Sequence, residues 1–307
     1  MRILLTGGAG MVGRNILADP RAAAHEIFAP SRAELDLLDA AACRRFVAEL
    51  APDLVIHCAA VVGGIQANID GGGRFLGENL AIGLSVIGAA HAAQVPRLIN
   101  LASSCIYPAG AESPISEHRL LTGALEATNE GYALAKLATW KMVQAYGREI
   151  PGATWRTLVP PNLYGRYDHF HARRSHMMAA AILKIDTALR EGRGSVEIWG
   201  DGAARREFLF AADLADFIWR FCDRLGDLPE TLNVGVGEDH AIDDYYQAVA
   251  AAMGYRGEFT HNPARPEGVR RKLLDVTGQR RLGWSPPTSL AQGLAAAVAW
   301  FREARGP

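Results

Sequence analysis

Cysteine is scarce in this chain: its four residues, Cys43, Cys58, Cys105 and Cys222, stand far apart. They lack the close pairs of a zinc site and the density of a disulfide scaffold, so reduced thiols are expected, three of them as plain core residues. Excess charge is missing too. The 32 Lys and Arg against 33 Asp and Glu leave a formal net charge of -1, which gives no bulk attraction to nucleic acid or to an anionic membrane surface. The longest uncharged apolar run, residues 54 to 65, is interrupted by His57 and two glycines and is too short to span a bilayer. The N-terminus enters a strand pattern directly, without the basic segment, apolar stretch and small-residue cleavage site of a leader, so a cytoplasmic location is expected. No internal repeat or low-complexity tract stands out. These absences leave a small molecule as the natural partner.

What is present is a chain able to bury a full core, in one large domain or two lobes: 307 residues, 49% hydrophobic. From residue 1 to about 165, short β-branched or apolar runs alternate with amphipathic, alanine-rich segments, the pattern of parallel strands joined by crossover helices. Strands are expected at residues 2–6, 25–29, 54–58, 98–102 and 154–159. The strongest helices are expected at 74–93, opening after Gly71-Gly72-Gly73, and at 129–148. The fold class is therefore α/β: a Rossmann-type doubly wound parallel sheet with a smaller C-terminal substrate-binding lobe. After Tyr164-Gly165 the texture becomes polar and rich in His and Arg, while a segment near 206–225 reads as a strand and helix returning to the first lobe. The expected division is thus 1–165 plus about 206–235, and 166–205 plus 236–307.

Thr6-Gly7-Gly8-Ala9-Gly10-Met11-Val12-Gly13 follows the first strand and opens a helix. Glycine lets backbone turn tightly and approach a pyrophosphate, and the helix N-terminus offers free N–H groups to it. Spacing alone also fits an ordinary glycine-rich turn; the position after an N-terminal strand favours dinucleotide binding. After the second strand, where an acidic residue usually meets free ribose hydroxyls, stand Ser31 and Arg32. A guanidinium suits a 2′-phosphate, so NADP(H) is favoured over NAD(H), the other reading of Arg32 being a solvated surface residue. Asp39 could accept from the adenine amino group or cap the next helix.

Tyr132 and Lys136, four apart, lie on one face of a helix, where the lysine can lower the phenol's pKa and hold a ribose. Together with the glycine loop and Ser103 at the end of the fourth strand, they resemble the extended short-chain dehydrogenase/reductase superfamily. Within it, Val62-Gly63-Gly64-Ile65, Ser103-Ser104-Cys105-Ile106-Tyr107-Pro108, Asn162-Leu163-Tyr164-Gly165, Ser175-His176, Trp199-Gly200, Arg206-Glu207-Phe208 and Arg271-Lys272-Leu273-Leu274-Asp275 resemble the GDP-L-fucose synthase family, in the same order over essentially the whole chain.

The resemblance implies NADPH-dependent epimerisation at two carbons of GDP-4-keto-6-deoxymannose and reduction of its ketone. It implies Ser103, Tyr132 and Lys136 as the reductase triad, Cys105 as base and His176 as acid of the epimerisation. A thiol with a reference pKa of roughly 8.5 needs nearby positive charge to serve as that base. His176 alone reads as a surface or core histidine. Cofactor contacts are implied at Gly7, Gly10, Met11, Val12, Gly13, Arg32, Asp39, Ala59, Ala60, Lys136, Pro160, Asn162, Leu163 and His176. Substrate contacts are implied at Ser104, Asn162, Lys184, Trp199, Arg206, Glu267 and Lys272. Trp199 also fits a core role, and Asn162 a structural hydrogen bond. A homodimer through the helices at 74–93 and 129–148 is implied, and no metal. The chain departs from the family in carrying Gly8-Ala9 for a His-Arg pair, Lys184 for an arginine, Glu267 for an aspartate and Ala179 for a proline. These departures leave room for another GDP-4-ketosugar, such as a 6-deoxyheptose. A cofactor-sensing protein without activity is the rival from another class, yet Tyr132, Lys136, Cys105 and His176 are all retained.

Overall fold

The computed structural model describes residues 1–171, 175–266 and 268–305. Its first part runs β1 (Arg2–Thr6), α1 (Met11–Ala18), β2 (Glu26–Phe28), α2 (Ala40–Leu50), β3 (Leu54–His57), α3 (Ile65–Ala92), β4 (Arg97–Leu101), α4 (Glu130–Glu149) and β5 (Thr154–Val159). Then follow β6 (Asn162–Tyr164), α5 (Met177–Glu191), β7 (Ser195–Trp199), β8 (Arg205–Arg206), β9 (Phe208–Phe210), α6 (Ala211–Phe221), β10 (Thr231–Asn233), β11 (His240–Ala241) and α7 (Ile242–Met253). The chain ends in β12 (Glu258–Asn262), β13 (Arg271–Lys272), α8 (Thr277–Arg281) and α9 (Leu290–Arg305).

The main sheet has the order β10-β5-β4-β3-β1-β2, and every pairing in it is parallel. Its strands read as apolar runs because helices cover both faces. The period of two sorts their side chains: Ile3, Leu5, Ile56, Ile99 and Leu158 join α6 residues such as Leu214, Phe217 and Phe221 in one core. Leu4, Val55 and Leu98 face the opposite way, onto Val47 of α2, Val86 and Ile87 of α3 and Val143 of α4. The expected parallel α/β sheet is thus present, with β10 added at its edge from beyond residue 225. A separate core joins α5, β7, α7 and α9 around Ile182, Ile198, Tyr245 and Phe301. Two smaller sheets, β11-β8-β13 and β12-β7, lie in this later part of the chain.

The glycine triplet differs from expectation. Gly71-Gly72-Gly73 does not precede the helix; α3 begins at Ile65 and passes through it, with a kink at Gly71 (φ −130°, ψ 26°). The reason is packing: a Cβ on Gly131, at the start of α4, would lie 2.3 Å from the Gly72 carbonyl oxygen, so the two helices meet backbone to backbone. Tertiary contact overrides the low helix propensity of glycine. By length and composition α3 could cross a membrane, but 44% of its apolar window is buried in the fold, and it packs on α2 and α4.

Candidate active site

The strand order reverses at β1 and β3, so a crevice opens at the carboxyl ends of these strands, where open α/β sheets bind ligands. The glycine loop lies there. Gly7 has φ +76°, and a Cβ on it would stand 2.7 Å from the Ala59 nitrogen; one on Gly13 would stand 2.3 Å from the Gly7 carbonyl oxygen. The turn is therefore tight enough to exclude side chains at both positions. Gly10 begins α1 without a side-chain cap, leaving the first-turn N–H groups around Met11 and Val12 for an anion. Ala59 and Ala60 follow β3 on the facing side of the crevice. This cradle fits the diphosphate of a dinucleotide.

Two asparagines that the sequence does not flag hold the next loop. Asn79 accepts from Val61 N (2.7 Å) and donates to Val61 O (2.9 Å), while Asn68 donates to Gly63 O (2.8 Å) and Gly64 O (3.1 Å). Local pattern does not single them out, since Gln66, Asp70, Arg74 and Glu78 are polar in the same stretch of helix. Arg32 is exposed beyond β2, its guanidinium 3.7 Å from the Asp36 carboxylate. Of the two roles open to Asp39, the structure carries the cap: its Oδ1 accepts from Ala41 N and Ala42 N, both at 2.9 Å.

At the end of β4, Ser103 begins a short 3-10 turn, its Oγ accepting from Cys105 N at 3.4 Å. Ser104 N donates to Pro160 O at 2.9 Å, tying this turn to the end of β5 near Leu163. Helix α4 carries Tyr132 and Lys136 past the same strand ends. Buried Lys136 donates through Nζ to Leu101 O at 2.8 Å, and Nζ lies 5.9 Å from the centre of the Tyr132 ring. Cys105 and Tyr132 share one apolar cluster with Ala102, Ala133 and Leu274.

Burial sets the electrostatics here, against two of the expectations. The Tyr132 phenol is pushed well above its usual range by desolvation, with a charged Cys105 adding to the effect, so the expected lowering by Lys136 is not met. Desolvation also raises the Cys105 thiol; the Ser103 hydrogen bond and the charges of Lys272 and Lys136 pull it down without prevailing, and Glu126 adds to the rise. Lys136 is brought down to about 8 by burial, with Cys105 and Cys58 opposing. His57 beside it is driven down to about 3 by burial and by the Lys136 charge, and its Nδ1 lies 2.7 Å from Thr6 Oγ1. The site keeps its thiol and phenol protonated and its histidine neutral.

Lys272 forms an ion pair with Glu126 (3.2 Å), each side chain only 12% exposed. Glu126 also accepts from Thr128 Oγ1 at 2.7 Å; desolvation is the largest influence and would raise its carboxyl, yet the Lys272 charge, the hydrogen bonds from Thr128 and Lys272 and the Arg206 charge together outweigh it, and the pKa ends below the usual range. No local pattern marks Glu126, because its partner lies 146 residues away. The parallel register of β8 and β13 sets Arg206 beside Lys272. Between them and β10 the buried Glu207 accepts from Val236 N (2.6 Å), Gly237 N (2.8 Å) and Leu274 N (2.9 Å), a structural clamp. Asn162 donates to Glu207 O at 3.3 Å, the structural alternative.

The remaining residues lie on α5 and β7. His176 is the N-cap residue of α5 without a side-chain cap bond, and burial lowers its imidazole. Among the described residues no hydrogen bond or ion pair joins it to Cys105. Lys184 donates to Glu197 O at 2.7 Å and lies 5.3 Å from the Trp199 ring centre. Trp199 is half-buried, outside the separate core. Glu267 lies outside the described residues, as do Arg173 and Arg174.

With this geometry in place, the comparisons decide the family. Residues 3–235 match the NAD dependent epimerase/dehydratase family. The chain belongs to that family. Within it, the chain is 44% identical over 301 residues to GDP-L-colitose synthase of Yersinia pseudotuberculosis, covering 98% of both proteins. It is also 44% identical over 300 residues to GDP-L-fucose synthase of Azorhizobium caulinodans, covering 98% of this chain and 96% of the relative. Among solved structures it is similar to a GDP-D-glycero-L-gluco-heptose synthase of Campylobacter jejuni in the presence of NADPH: TM-score 0.86, 27% identity, 97% of each chain.

The resemblance read from the motifs is thereby borne out at full length, and the fold of this epimerase/dehydratase family member agrees with the expected Rossmann-type sheet. The neighbour crystallised in the presence of NADPH supports NADP(H) as cofactor, in line with Arg32 at the end of β2. The same relatives divide over the sugar, as the departures at Lys184, Ala179 and the glycine loop leave open.

Proposed function

We infer that this protein is an NADP(H)-dependent epimerase and 4-reductase of a GDP-4-ketosugar, with GDP-4-keto-6-deoxymannose as substrate and GDP-L-fucose as product. The observation that carries the reading is the meeting of Cys105 and Tyr132 in one apolar cluster, with the charges of Lys272 and Lys136 acting on the thiol. It joins a base and a proton donor where a ketone can sit.

A hydrogen on a carbon beside the ketone is acidic because the electron pair left behind spreads into the carbonyl as an enolate. In the proposed cycle Cys105 Sγ, as thiolate, takes that proton and His176 returns one to the opposite face, which inverts the carbon. Once Cys105 has given its proton to solvent and His176 has taken one up, the second flanking carbon follows by the same exchange. The glycine loop, Lys136 and the Ala59 side of the crevice would hold NADPH, which when bound would supply the hydride that the ketone carbon takes up. Tyr132 gives its phenolic proton to the ketone oxygen, which Ser103 orients by a hydrogen bond. The high phenol pKa suits this donor role, since the hydroxyl stays protonated until the oxygen gains charge. Cys105 is raised and His176 lowered by burial, so the thiolate–imidazolium pair is the minor protonation state of the free protein. Lys136 and Lys272 limit that cost by favouring the thiolate.

Asn162, Lys184, Trp199, Arg206, Glu267 and Lys272 are proposed to hold the nucleotide and sugar. A homodimer through α3 and α4 is supported by their exposed apolar residues, Ile69, Leu84 and Leu134. Four unpaired thiols fit the reducing cytoplasm. A second reading, a different GDP-4-ketosugar, is favoured by the equal 44% identity to the colitose and fucose enzymes. Incubating the protein with NADPH and GDP-4-keto-6-deoxymannose, and identifying the product by NMR, separates them. GDP-L-fucose supports the first reading; NADPH oxidation only with a deoxyheptose or dideoxy analogue supports the second.

A further inference from the structure

Arg265 belongs to none of the family motifs, whereas Lys184 stands where the family usually has an arginine. The fold brings both to one ring. Strand β12 pairs in parallel with β7 so that Asn262 stands opposite Trp199. The chain then turns back, Arg265 N donating to Asn262 O at 3.1 Å and Ala264 N to Asn262 Oδ1 at 3.2 Å. This turn lays the Arg265 guanidinium 5.1 Å from the Trp199 ring centre, while Lys184 Nζ reaches the same ring from α5 at 5.3 Å.

Two cations so placed repel, and the neighbouring charges do not balance them. Glu197 is the carboxylate that favours the Lys184 charge; its Oε2 is engaged by Asn262 Nδ2 at 2.9 Å. Among the described residues no carboxylate pairs with Arg265. Lys184 is itself anchored to a backbone carbonyl and cannot offer the planar, two-pronged donor set of an arginine. Arg265 has that fork, and it is exposed to solvent.

We propose that Arg265 is a substrate-binding residue, supplying the bidentate contact to the substrate's diphosphate that Lys184 cannot make, with the two cations holding the anion jointly beside Trp199. The arginine has in effect changed its place in the chain, from α5 to the turn after β12. The proposal rests on the GDP-ketosugar reading above for its ligand, and the test separates the two.

Affinities of GDP, GMP and guanosine are measured by calorimetry for the wild type, Arg265→Ala, and Arg265→Ala combined with Lys184→Arg, with melting temperatures as a folding control. Replacing a charge-assisted, two-pronged hydrogen bond by solvent weakens binding by roughly tenfold or more. The expected result is therefore a roughly tenfold weaker GDP affinity in Arg265→Ala, a smaller effect on GMP, none on guanosine, and recovery in the double variant. Unchanged GDP affinity overturns the proposal, as does equal weakening of guanosine, which would make Arg265 a brace for Trp199. Absence of recovery overturns the shared-anion arrangement. If the wild type prefers another nucleoside diphosphate, the guanine reading fails while Arg265 is tested unchanged with that ligand; if it binds no nucleoside diphosphate, both fail.

Discussion

The Cys105 cluster and the Trp199 surface treat charge in opposite ways. Around Cys105 and Tyr132, groups that could ionise are buried, and desolvation holds them neutral. Around Trp199, exposed Arg265 and half-buried Lys184 stand with one carboxylate nearby, and although burial lowers Lys184 too, Arg265 keeps its contact with solvent. The contrast teaches that proton chemistry and anion binding need different surroundings. A proton donor gains from a dry site that keeps it protonated until the substrate oxygen gains charge, whereas phosphate recognition gains from unmatched, solvent-reached cations.

The comparison breaks first at Tyr132. Tyr132→Phe removes the proton donor and leaves the apolar cluster filled, so NADPH oxidation with the ketosugar falls by roughly 10²- to 10⁴-fold, while exchange of the flanking hydrogens persists. Equal loss of both would place Tyr132 in the epimerisation as well.

Lys272 sharpens it next. Lys272→Met leaves the Glu126 carboxylate only the Thr128 hydroxyl and the Arg206 charge in a nearly closed site, costing up to about 3 kcal/mol of stability, read by urea unfolding. Adding Glu126→Gln restores most of that. The same pair tests the thiol: thiolate absorbance at 240 nm, taken as the difference from Cys105→Ser, has its midpoint above the usual thiol range. It moves higher in Lys272→Met, because a cation that favours the thiolate is gone, and comes part-way back in the double variant, because Glu126 no longer opposes the thiolate.

The smallest effect is at the cofactor's far end. Arg32→Ala weakens NADPH binding by roughly tenfold and leaves NADH unchanged, as measured by fluorescence titration. Equal weakening of both cofactors would mean that Arg32 does not meet a 2′-phosphate.

Local patterns made much of this legible. The apolar strands, the Gly7–Gly13 loop and the Tyr132–Lys136 spacing each lie within a few residues, so periodicity and turn chemistry report them directly. Strand ends moved by only a residue or so. What escaped depends on contacts made across the fold. The Gly71-Gly72-Gly73 stretch looks like a loop until Gly131 packs on it, and Glu126 looks like a surface acid until Lys272 arrives from the other end of the chain. Spacing also predicted a lowered Tyr132 phenol, because it shows the lysine and not the desolvation that outweighs it. Arg265 carried no signal beyond its charge, since only the β7–β12 register sets it over Trp199.

Central to the proposed mechanism is Cys105 acting as the epimerisation base beside the reductase tyrosine. The most direct test is to incubate wild type and Cys105→Ser with GDP-4-keto-6-deoxymannose in deuterated water without NADPH, then locate the label by mass spectrometry. Deuterium at both carbons flanking the ketone with the wild type, and none with the variant, is the predicted result. No label with the wild type, or equal label with the variant, contradicts it.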